Sequence, residues 1–316
     1  QFILTGSAVP SDDVTRHTGA GRFLRIRQRT LSWWERGESS GTVSLQGLFD
    51  GLMPQPDISG STLATLTNTL AAPGFPAMLH RRPDQAARLV RAYLEETVRI
   101  DLGRLAELRS SPVVIHSLLA SIARNVSSEA SINSITRDLQ TVAPGIRAET
   151  VAGYIELLER VFVLERLTAW APELRSRARL RTSSRWHLAD PSLVIAALGA
   201  DAGALQSDPN TAGLVFESAA VHDLAVLSSA LDGSVHHYRD SNGYEIDAVV
   251  TLPDGRWGAV AIKLGGTQAV SGAKSLAQAV AQIDSEPVFR LVLTGTGGTA
   301  VFDDGTVTCP LGALGP

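Results

Sequence analysis

The sequence predicts a multidomain α/β protein. A chain of 316 residues, with 44% hydrophobic and 19% charged residues, is long enough for two or three domains with a substantial core. The periodic patterns differ along the chain: helical spacing dominates residues 59–182, whereas strands and helices alternate in residues 183–316. We therefore expect three segments, comprising residues 1–58, 59–182 and 183–316.

Charge is distributed unevenly between the two halves of the chain. Residues 1–180 contain 21 basic and 18 acidic side chains, whereas residues 181–316 contain 7 basic and 14 acidic ones. A polyanion is attracted by positive potential, so any contact with nucleic acid is expected mainly in the first half. No apolar run is long enough to span a membrane, and no signal peptide opens the chain. Cys309 is the only cysteine, which excludes an intrachain disulfide and fits a cytoplasmic protein.

The first segment begins with an apolar run at residues 2–5 that reads as a buried strand ending at Gly6 and Ser7. Because that strand begins at the second residue, we expect the chain to be the C-terminal portion of a longer protein. Residues 24–29 alternate arginine with other side chains, a period of two that is typical of a strand with one solvated face. The alternative for these arginines is a solvated surface without a specific role.

The middle segment is expected to be helical. Residues 85–102 have apolar side chains at helical spacing. Residues 131–139 and 147–158 read as two further helices joined by a break at Pro144 and Gly145, and residues 161–164 read as a strand. Helix, turn, helix and hairpin is a winged-helix pattern.

If this winged-helix region binds DNA, the contacts are expected at the exposed start of its second helix. The side chains there are Arg147, Thr150 and Tyr154. Three glutamates flank them, and a module of this kind also serves to bind protein or to brace its neighbours. Both interpretations are therefore kept.

The third segment contains a hairpin with a chemically informative pair of side chains. Residues 238–250 and 257–263 are predicted as strands joined by a turn at residues 253–255, with Asp247 on the first strand and Lys263 on the second. Only two of the 28 basic residues are lysine, which favours a role for Lys263 beyond solvation. Glu245 lies two residues before Asp247 and therefore on the same strand face. A helix opening at residue 213 is expected to place Glu217 beside the sheet.

These residues resemble the site of the PD-(D/E)xK nuclease fold, in which the second strand reads acid-x-Lys. The resemblance implies a site made of Glu217, Asp247 and Lys263, with Glu217 and Asp247 as ligands of Mg²⁺. The acid position is Ala261 here, so one ligand is missing, and Glu245 is the candidate substitute. The structural alternative is an ion pair between Lys263 and Asp247 that braces the hairpin.

The first segment resembles the end of the ATP-binding core in a bacterial and archaeal group of AAA-type ATPases whose C-terminal half is a domain of unknown function. The strand ending Leu-Thr-Gly-Ser resembles the polar sensor strand, Gly21-Arg22 matches a Gly-Arg pair, and residues 32–35 approximate a Ser-Phe-x-Glu element. The resemblance implies that Thr5 or Ser7 orients water at the γ-phosphate and that Arg22 stabilises charge. No phosphate loop is present in this sequence, so ATP and Mg²⁺ are implied for a longer parent protein.

The sequence therefore supports three functional hypotheses. The first is the C-terminal portion of an AAA-type ATP-binding protein, with an inactive nuclease-like domain used for binding or assembly through self-association or another protein. The second is a Mg²⁺-dependent nuclease acting on DNA. The third is a winged-helix regulator that binds DNA.

Overall fold

The computed structural model describes residue 6 and residues 26–58, 60–98, 112–172 and 184–316. It is a mixed α/β protein. The helices of the first part are α1 (Leu45–Phe49), α2 (Leu63–Ala71), α3 (Pro83–Glu96), α4 (Pro112–Arg124), α5 (Ile132–Leu139) and α6 (Ala148–Arg160). The later helices are α7 (Pro191–Ala197), α8 (Ala202–Ser207), α9 (Pro209–Ser229) and α10 (Ala269–Val280). The strands are β1 (Val43–Ser44), β2 (Leu164–Leu167), β3 (Arg185–Leu188), β4 (Ser234–Arg239), β5 (Glu245–Thr251), β6 (Trp257–Lys263), β7 (Phe289–Thr294), β8 (Ala300–Val301), β9 (Val307–Pro310) and β10 (Leu314–Gly315).

Several helices begin at a side chain that can cap their free backbone N–H groups. Ser131 Oγ accepts a hydrogen bond from Ser134 N at the start of α5, and Asp201 and Asp208 cap α8 and α9 in the same way. Such caps satisfy donors that have no partner inside the helix. Pro209 follows its cap directly and needs no N–H partner, which explains why α9 begins there and not at residue 213.

The main sheet has six strands in the order β4-β5-β6-β7-β9-β8. The pairs β4–β5, β5–β6 and β8–β9 are antiparallel, whereas β6–β7 and β7–β9 are parallel. Helix α10 forms the crossover between the parallel strands β6 and β7. This mixed sheet agrees with the α/β class predicted for residues 183–316.

Helices cover both faces of the sheet, because β6 alternates its apolar side chains between two cores. Val260 and Ile262 belong to a core that extends through the helices of the chain, including Phe216 of α9. Ala259 and Ala261 belong to a second core that lies against α10. This period of two follows from strand geometry and leaves neither face of the central strands exposed.

The predicted boundary at residue 183 does not separate two cores. Helices α7 and α8, which follow that boundary, pack against α2, and α7 also packs against α3 and α4. One buried contact explains the arrangement: Asp190, at the start of α7, accepts hydrogen bonds from Gly74 N and from Ser192 N, both at 2.9 Å. Gly74 lies before α3, so the cap of α7 also ties it to the helical region.

Residues 30–58 pack onto the C-terminal part of the chain, so the predicted boundary at residue 58 is not a structural separation either. Strand β1 pairs in parallel with β10. Ser39 Oγ donates a hydrogen bond to Leu314 O at 2.6 Å, and Phe49 packs edge-on against Phe289 with ring centroids 5.0 Å apart. Residues 2–5 and the first two residues of the predicted arginine strand, 24 and 25, lie outside the described residues. The described residues 26–29 are not in a strand.

The predicted hairpin is present, but its first strand was placed wrongly. Residues 238–250 are not one strand: they contain the end of β4, a turn and then β5. Asp240 forms that turn by accepting hydrogen bonds from Asn242 N and Tyr244 N, and Gly243 adopts a φ of +88° that favours glycine. The second turn agrees with the prediction, since Gly255 has a φ of +89° between β5 and β6.

The helical region has the element order that the sequence predicts. Helices α5 and α6 are followed by the antiparallel pair β2–β3. Strand β2 begins at Leu164, because residues 161–163 form a turn in which Phe162 has a φ of +60°. Tyr154 was wrongly expected at an exposed position: it is only 6% exposed and packs in the core, on the same side of α6 as Val151 and Leu158.

Two glycines provide a test of this packing. A Cβ at Gly258, the second residue of β6, would lie 2.1 Å from the ring of Phe289. We expect Gly258→Ala to lower the free energy of unfolding by about 1–3 kcal/mol, because the ring has to move within a packed core. The matched change Gly153→Ala, in α6 where a Cβ meets nothing within 4 Å, should raise it by about 0.5–1 kcal/mol. Urea unfolding measures both, and equal effects would contradict the packing at β6.

Candidate functional site

The four side chains predicted for the nuclease-like site lie close together in the structure. Glu217 projects from α9, Glu245 and Asp247 from β5, and Lys263 from the end of β6. Asp247, Lys263 and Glu245 all act electrostatically on Glu217. One turn of α9 and the two strands of the β5–β6 hairpin thus form one charged cluster.

Arg185, the first residue of β3, lies at the centre of this cluster. Its Nη1 donates to Glu217 Oε1 at 3.0 Å, and its Nη2 donates to Glu245 Oε2 at 3.1 Å. Arg185 is 5% exposed, so both ion pairs are shielded from water on the arginine side. A guanidinium suits this position because its planar fork presents several donors in fixed directions.

A second arginine extends the cluster to the surface. Arg239, at the end of β4, lies 3.2 Å from the other carboxylate oxygen of Glu245 and 3.5 Å from Glu129. Glu245 is therefore held by two arginines, one buried and one half-exposed. This arrangement engages both of its oxygens.

Asp247 has a structural partner besides Lys263. Its Oδ2 accepts a hydrogen bond from the backbone N–H of Ile262 at 2.7 Å and lies 3.4 Å from Lys263 Nζ. The last paired residues of β5 and β6 on this side are Ala248 and Val260, so the carboxylate satisfies a strand N–H beyond the end of the pairing. The structural alternative from the sequence, an ion pair that braces the hairpin, therefore agrees with the contacts.

The stem of Lys263 lies against α10. A Cβ at Gly272 would come 3.1 Å from Cγ of Lys263, so the absence of a side chain at Gly272 makes room for the lysine stem. The lysine consequently runs between β6 and α10 with its ammonium near Asp247. The half-exposed side chain combines a packed stem with a charged tip.

Glu217 is the carboxyl group that the cluster perturbs most. Burial, reinforced by the neighbouring Asp247 carboxylate, raises the pKa of Glu217 to about 8. Arg185 and Lys263 oppose this shift without cancelling it. Burial deprives the ionised carboxylate of hydration, and the attraction of the neighbouring cations does not make up for this loss. The neutral form of Glu217 is therefore favoured near pH 7.

These residues do not fit a Mg²⁺ site. Glu217 favours its protonated form, the oxygens of Glu217 and Glu245 accept hydrogen bonds from Arg185, and Asp247 accepts from Ile262 N. Ala261, where the nuclease fold has an acid, is buried against the second core. Among the described residues, no group of three or more His, Cys, Asp or Glu side chains has the geometry of a metal site.

The remaining predicted residues do not join this cluster. Arg147 and Thr150 are exposed at the start of α6, as predicted, whereas Tyr154 is buried there. The predicted nucleotide-sensing residues Thr5, Ser7 and Arg22 lie outside the described residues.

The sequence analysis missed Arg185. No local pattern links this residue to Glu217 or Glu245, and only the tertiary structure shows which carboxylates it contacts.

A buried His-Asp pair on α9 was also missed. His222 Nε2 lies 2.9 Å from Thr30 Oγ1, and its Nδ1 lies 3.1 Å from Asp223 Oδ1. Asp223 Oδ2 in turn accepts a hydrogen bond from Trp33 N at 2.8 Å. Although burial lowers it, the pKa of His222 is raised overall by Asp223 and by the more distant Asp190 and Glu165 carboxylates. The histidines lack metal-ligand spacing in sequence, so no signal marked this network.

Two regions of the chain match models of protein families. Residues 64–204 match a domain of unknown function (DUF8612), and residues 212–314 match another domain of unknown function (DUF4143). The division between the matches falls between α8 and α9, which agrees with the packing of α7 and α8 against the helical region. Comparisons with curated proteins and with solved structures found no match.

Within the described residues, no helix combines the length and the apolar character needed to cross a membrane. The thiol of Cys309 is buried in β9, and burial raises its pKa to about 12.

The raised pKa of Glu217 predicts a pH dependence of stability. Between its unfolded-state value of 4.5 and its folded-state value of about 8, the folded protein holds a proton that the unfolded chain releases. The free energy of unfolding should therefore fall as pH rises through this window, by at most about 1.4 kcal/mol per pH unit from this group. In the Glu217→Gln variant this position cannot titrate, so the free energy of unfolding of the variant should fall less steeply with pH.

Urea unfolding of both proteins at several pH values between 5 and 8 tests this prediction. At the acidic end, a neutral carboxyl group and an amide present similar oxygens to Arg185, so the two stabilities should be close. The difference should open towards pH 8 in favour of Glu217→Gln. Parallel curves would show that Glu217 ionises normally in the folded protein.

Proposed function

We propose that this chain is the C-terminal portion of an AAA-type ATP-binding protein. Its C-terminal sheet, with α9 and α10, acts as a binding or assembly module that has the layout of a PD-(D/E)xK nuclease without its metal chemistry. The observation that carries the proposal is Arg185, whose guanidinium binds Glu217, an expected metal ligand, and Glu245, the candidate substitute for the missing acid.

Arg185 supplies a fixed positive charge where the nuclease resemblance requires a divalent cation. A guanidinium stays protonated at physiological pH and forms ion pairs through directed N–H groups. It has no vacant coordination position and does not activate a bound water as a metal does. The module thus keeps the charge balance of such a site and loses its hydrolytic chemistry.

The link to an ATP-binding parent rests on the order of motifs and on the second domain match. The sensor-like strand, the Gly-Arg pair and the nuclease-like residues occur in the order found in the AAA-type group. The family matched by residues 212–314 is often found in AAA-associated proteins. ATP and Mg²⁺ would bind to the parent's phosphate loop, for which this sequence has no counterpart.

A metal-dependent nuclease remains the second candidate, because one observation favours it. Glu217, Glu245, Asp247 and Lys263 do converge, as that function requires. In this case Arg185 would have to leave the cluster for a metal to enter. The third candidate, a DNA-binding regulator, is favoured by the exposed Arg147 and Thr150 at the start of α6.

A cleavage assay separates the first two candidates. We expect no Mg²⁺- or Mn²⁺-dependent cleavage of DNA by the chain, because Glu217 and Glu245 already bind Arg185 and Asp247 already accepts a hydrogen bond from Ile262 N. Cleavage that is lost in both Asp247→Ala and Lys263→Ala would establish the nuclease and contradict the proposal. Light scattering on the same samples reports whether the chain associates with itself.

A gain of metal binding tests the role assigned to Arg185. The double variant Arg185→Ala with Ala261→Glu removes the guanidinium and restores the missing acid. We expect it to bind Mn²⁺ in a calorimetric titration with an affinity that rises with pH, because the ion competes with the proton of Glu217, and we expect the unchanged chain not to bind. Ala261→Glu alone is the control and should not bind while Arg185 remains. Equal binding by the unchanged chain would show that Arg185 does not block the site.

DNA binding distinguishes the third candidate. If α6 contacts DNA, Arg147→Ala should weaken affinity and make it less dependent on salt, because a neutralised phosphate contact is lost. Asp247→Ala should leave affinity unchanged, since Asp247 lies in the other region. Fluorescence anisotropy at several salt concentrations measures both variants. Affinity that is insensitive to Arg147→Ala excludes this helix as the contact.

The link to an ATP-binding parent has its own test. The gene upstream of the Gln1 codon, read in frame for about 200 codons, covers the span of a typical ATP-binding core. A Gly-x-x-x-x-Gly-Lys-Ser/Thr loop after a strand is the expected result. A stop codon without that loop would contradict the proposed parent.

A further inference from the structure

A cavity of about 240 Å³ lies further along α9 than the charged cluster, towards the C-terminal end of the helix. Its walls come from the β2–β3 pair, the C-terminal half of α9, the start of β4 and Arg29. Ligand sites occur preferentially where separate structural units meet, and this cavity lies between the helical region and the main sheet. Its volume is at the small end for ligand pockets, which limits an occupant to a small molecule.

His187 lines this cavity and has a polar atom without a partner. The residue is 4% exposed, and its Nδ1 lies 3.1 Å from Ser218 Oγ. Its Nε2 is buried and makes no hydrogen bond within the described part of the chain. A buried polar atom left without a partner costs about 1–3 kcal/mol, and in native proteins such atoms are nearly always satisfied by protein, water or a ligand.

The ring of His187 is uncharged. Burial, together with the nearby Arg185 guanidinium, lowers the pKa of His187 to about 3. A neutral imidazole carries one donor and one acceptor nitrogen. Because His187 lines the cavity, its unpaired nitrogen suits a hydroxyl group, which can donate or accept.

The charged wall of the cavity has an excess of positive charge. Arg27 and Arg29 both bind the single carboxylate of Glu165, at 3.1 Å each. Arg29 makes that contact through its Nε alone, and its terminal nitrogens have no acceptor within the part of the chain that the structure describes. Arg166 also lines the cavity, although its guanidinium is engaged with Glu159.

The geometry points to a binding site for a small hydroxylated organic anion in this cavity. Its carboxylate or phosphate group would bind the terminal nitrogens of Arg29, and a hydroxyl group would satisfy His187 Nε2. Arginine pairs with both kinds of oxyanion through two parallel hydrogen bonds, so the shared chemistry is that of a small oxyanion with a neighbouring hydroxyl. This inference does not depend on the function proposed for the charged cluster.

Three probes of similar size test the inference. Glycerol 3-phosphate carries a phosphate, glycerate carries a carboxylate, and glycerol carries neither; all three have hydroxyl groups. We expect saturable binding of at least one of the two anions in calorimetric titration and no binding of glycerol. The anion that binds identifies the oxyanion class. Absence of binding by both anions at millimolar concentration would overturn the inference and leave a cavity that holds water only.

Variants locate the binding in this cavity. Arg29→Ala should lower the affinity for the anion roughly 10- to 100-fold, which corresponds to the loss of a charged hydrogen bond of about 1.5–3 kcal/mol. Arg29→Lys keeps the charge but loses the fork, so it should weaken binding less. The matched control is Arg290→Ala. Arg290 lies on β7 and pairs with Asp304, away from the cavity, so this change should leave affinity unchanged. Affinity unchanged in Arg29→Ala would overturn the inference.

A direct readout concerns His187. In ¹⁵N-histidine-labelled protein, the Nε2 resonance of His187 should shift as the anion saturates, and its assignment follows from its loss in His187→Phe. That variant should also lower the affinity several-fold, because the hydroxyl group loses its partner. An anion that binds without moving this resonance does not occupy the proposed site.

Discussion

Helix α9 buries polar and charged side chains along most of its length, and the arrangement of the protein depends on how they are paired. A buried polar group without a partner is costly, and a buried charge more so. The groups and their partners are Glu217 with Arg185, Ser218 with His187, His222 with Thr30, and Asp223 with Trp33 N. Each partner comes from an element outside the main sheet. The helix can therefore be buried only when β3 and the segment around residues 30–33 are in place.

This pairing also connects the two places where chemistry is concentrated. Glu217 and Ser218 are consecutive on α9; Glu217 faces the cluster with Arg185, and Ser218 contacts His187 at the cavity. Arg185 and His187 are two residues apart on β3 and contact the same turn of α9. The strand thus contributes a cation to the charged cluster and a neutral histidine to the cavity wall. A shift of β3 along α9 would disturb both sites together.

The parts of the fold governed by local rules were predictable. The turn between β5 and β6 needs a residue with positive φ, and the dipeptide Asp254-Gly255 predicts such a turn. Helix α5 begins at Ile132, directly after Ser131, whose side chain caps the helix as serine commonly does. The strand expected over residues 238–250 was wrong because a second turn lies within it, where Asp240 closes the backbone with its own side chain. Tyr154 was misplaced because it was grouped with Arg147 and Thr150 at the start of α6, although helical spacing puts it on the side that carries Val151 and Leu158.

The sequence by itself determined the α/β class, the hairpin with Asp247 and Lys263, and the set of acids that meet beside it, because periodicity and turn chemistry act between near neighbours in the chain. Only the tertiary structure decided what those acids bind. Arg185 is 32 residues from Glu217 and 60 from Glu245. Whether a carboxylate is ionised and what it binds depends on burial and on charges within a few ångströms, and no local pattern specifies which distant residue will supply them.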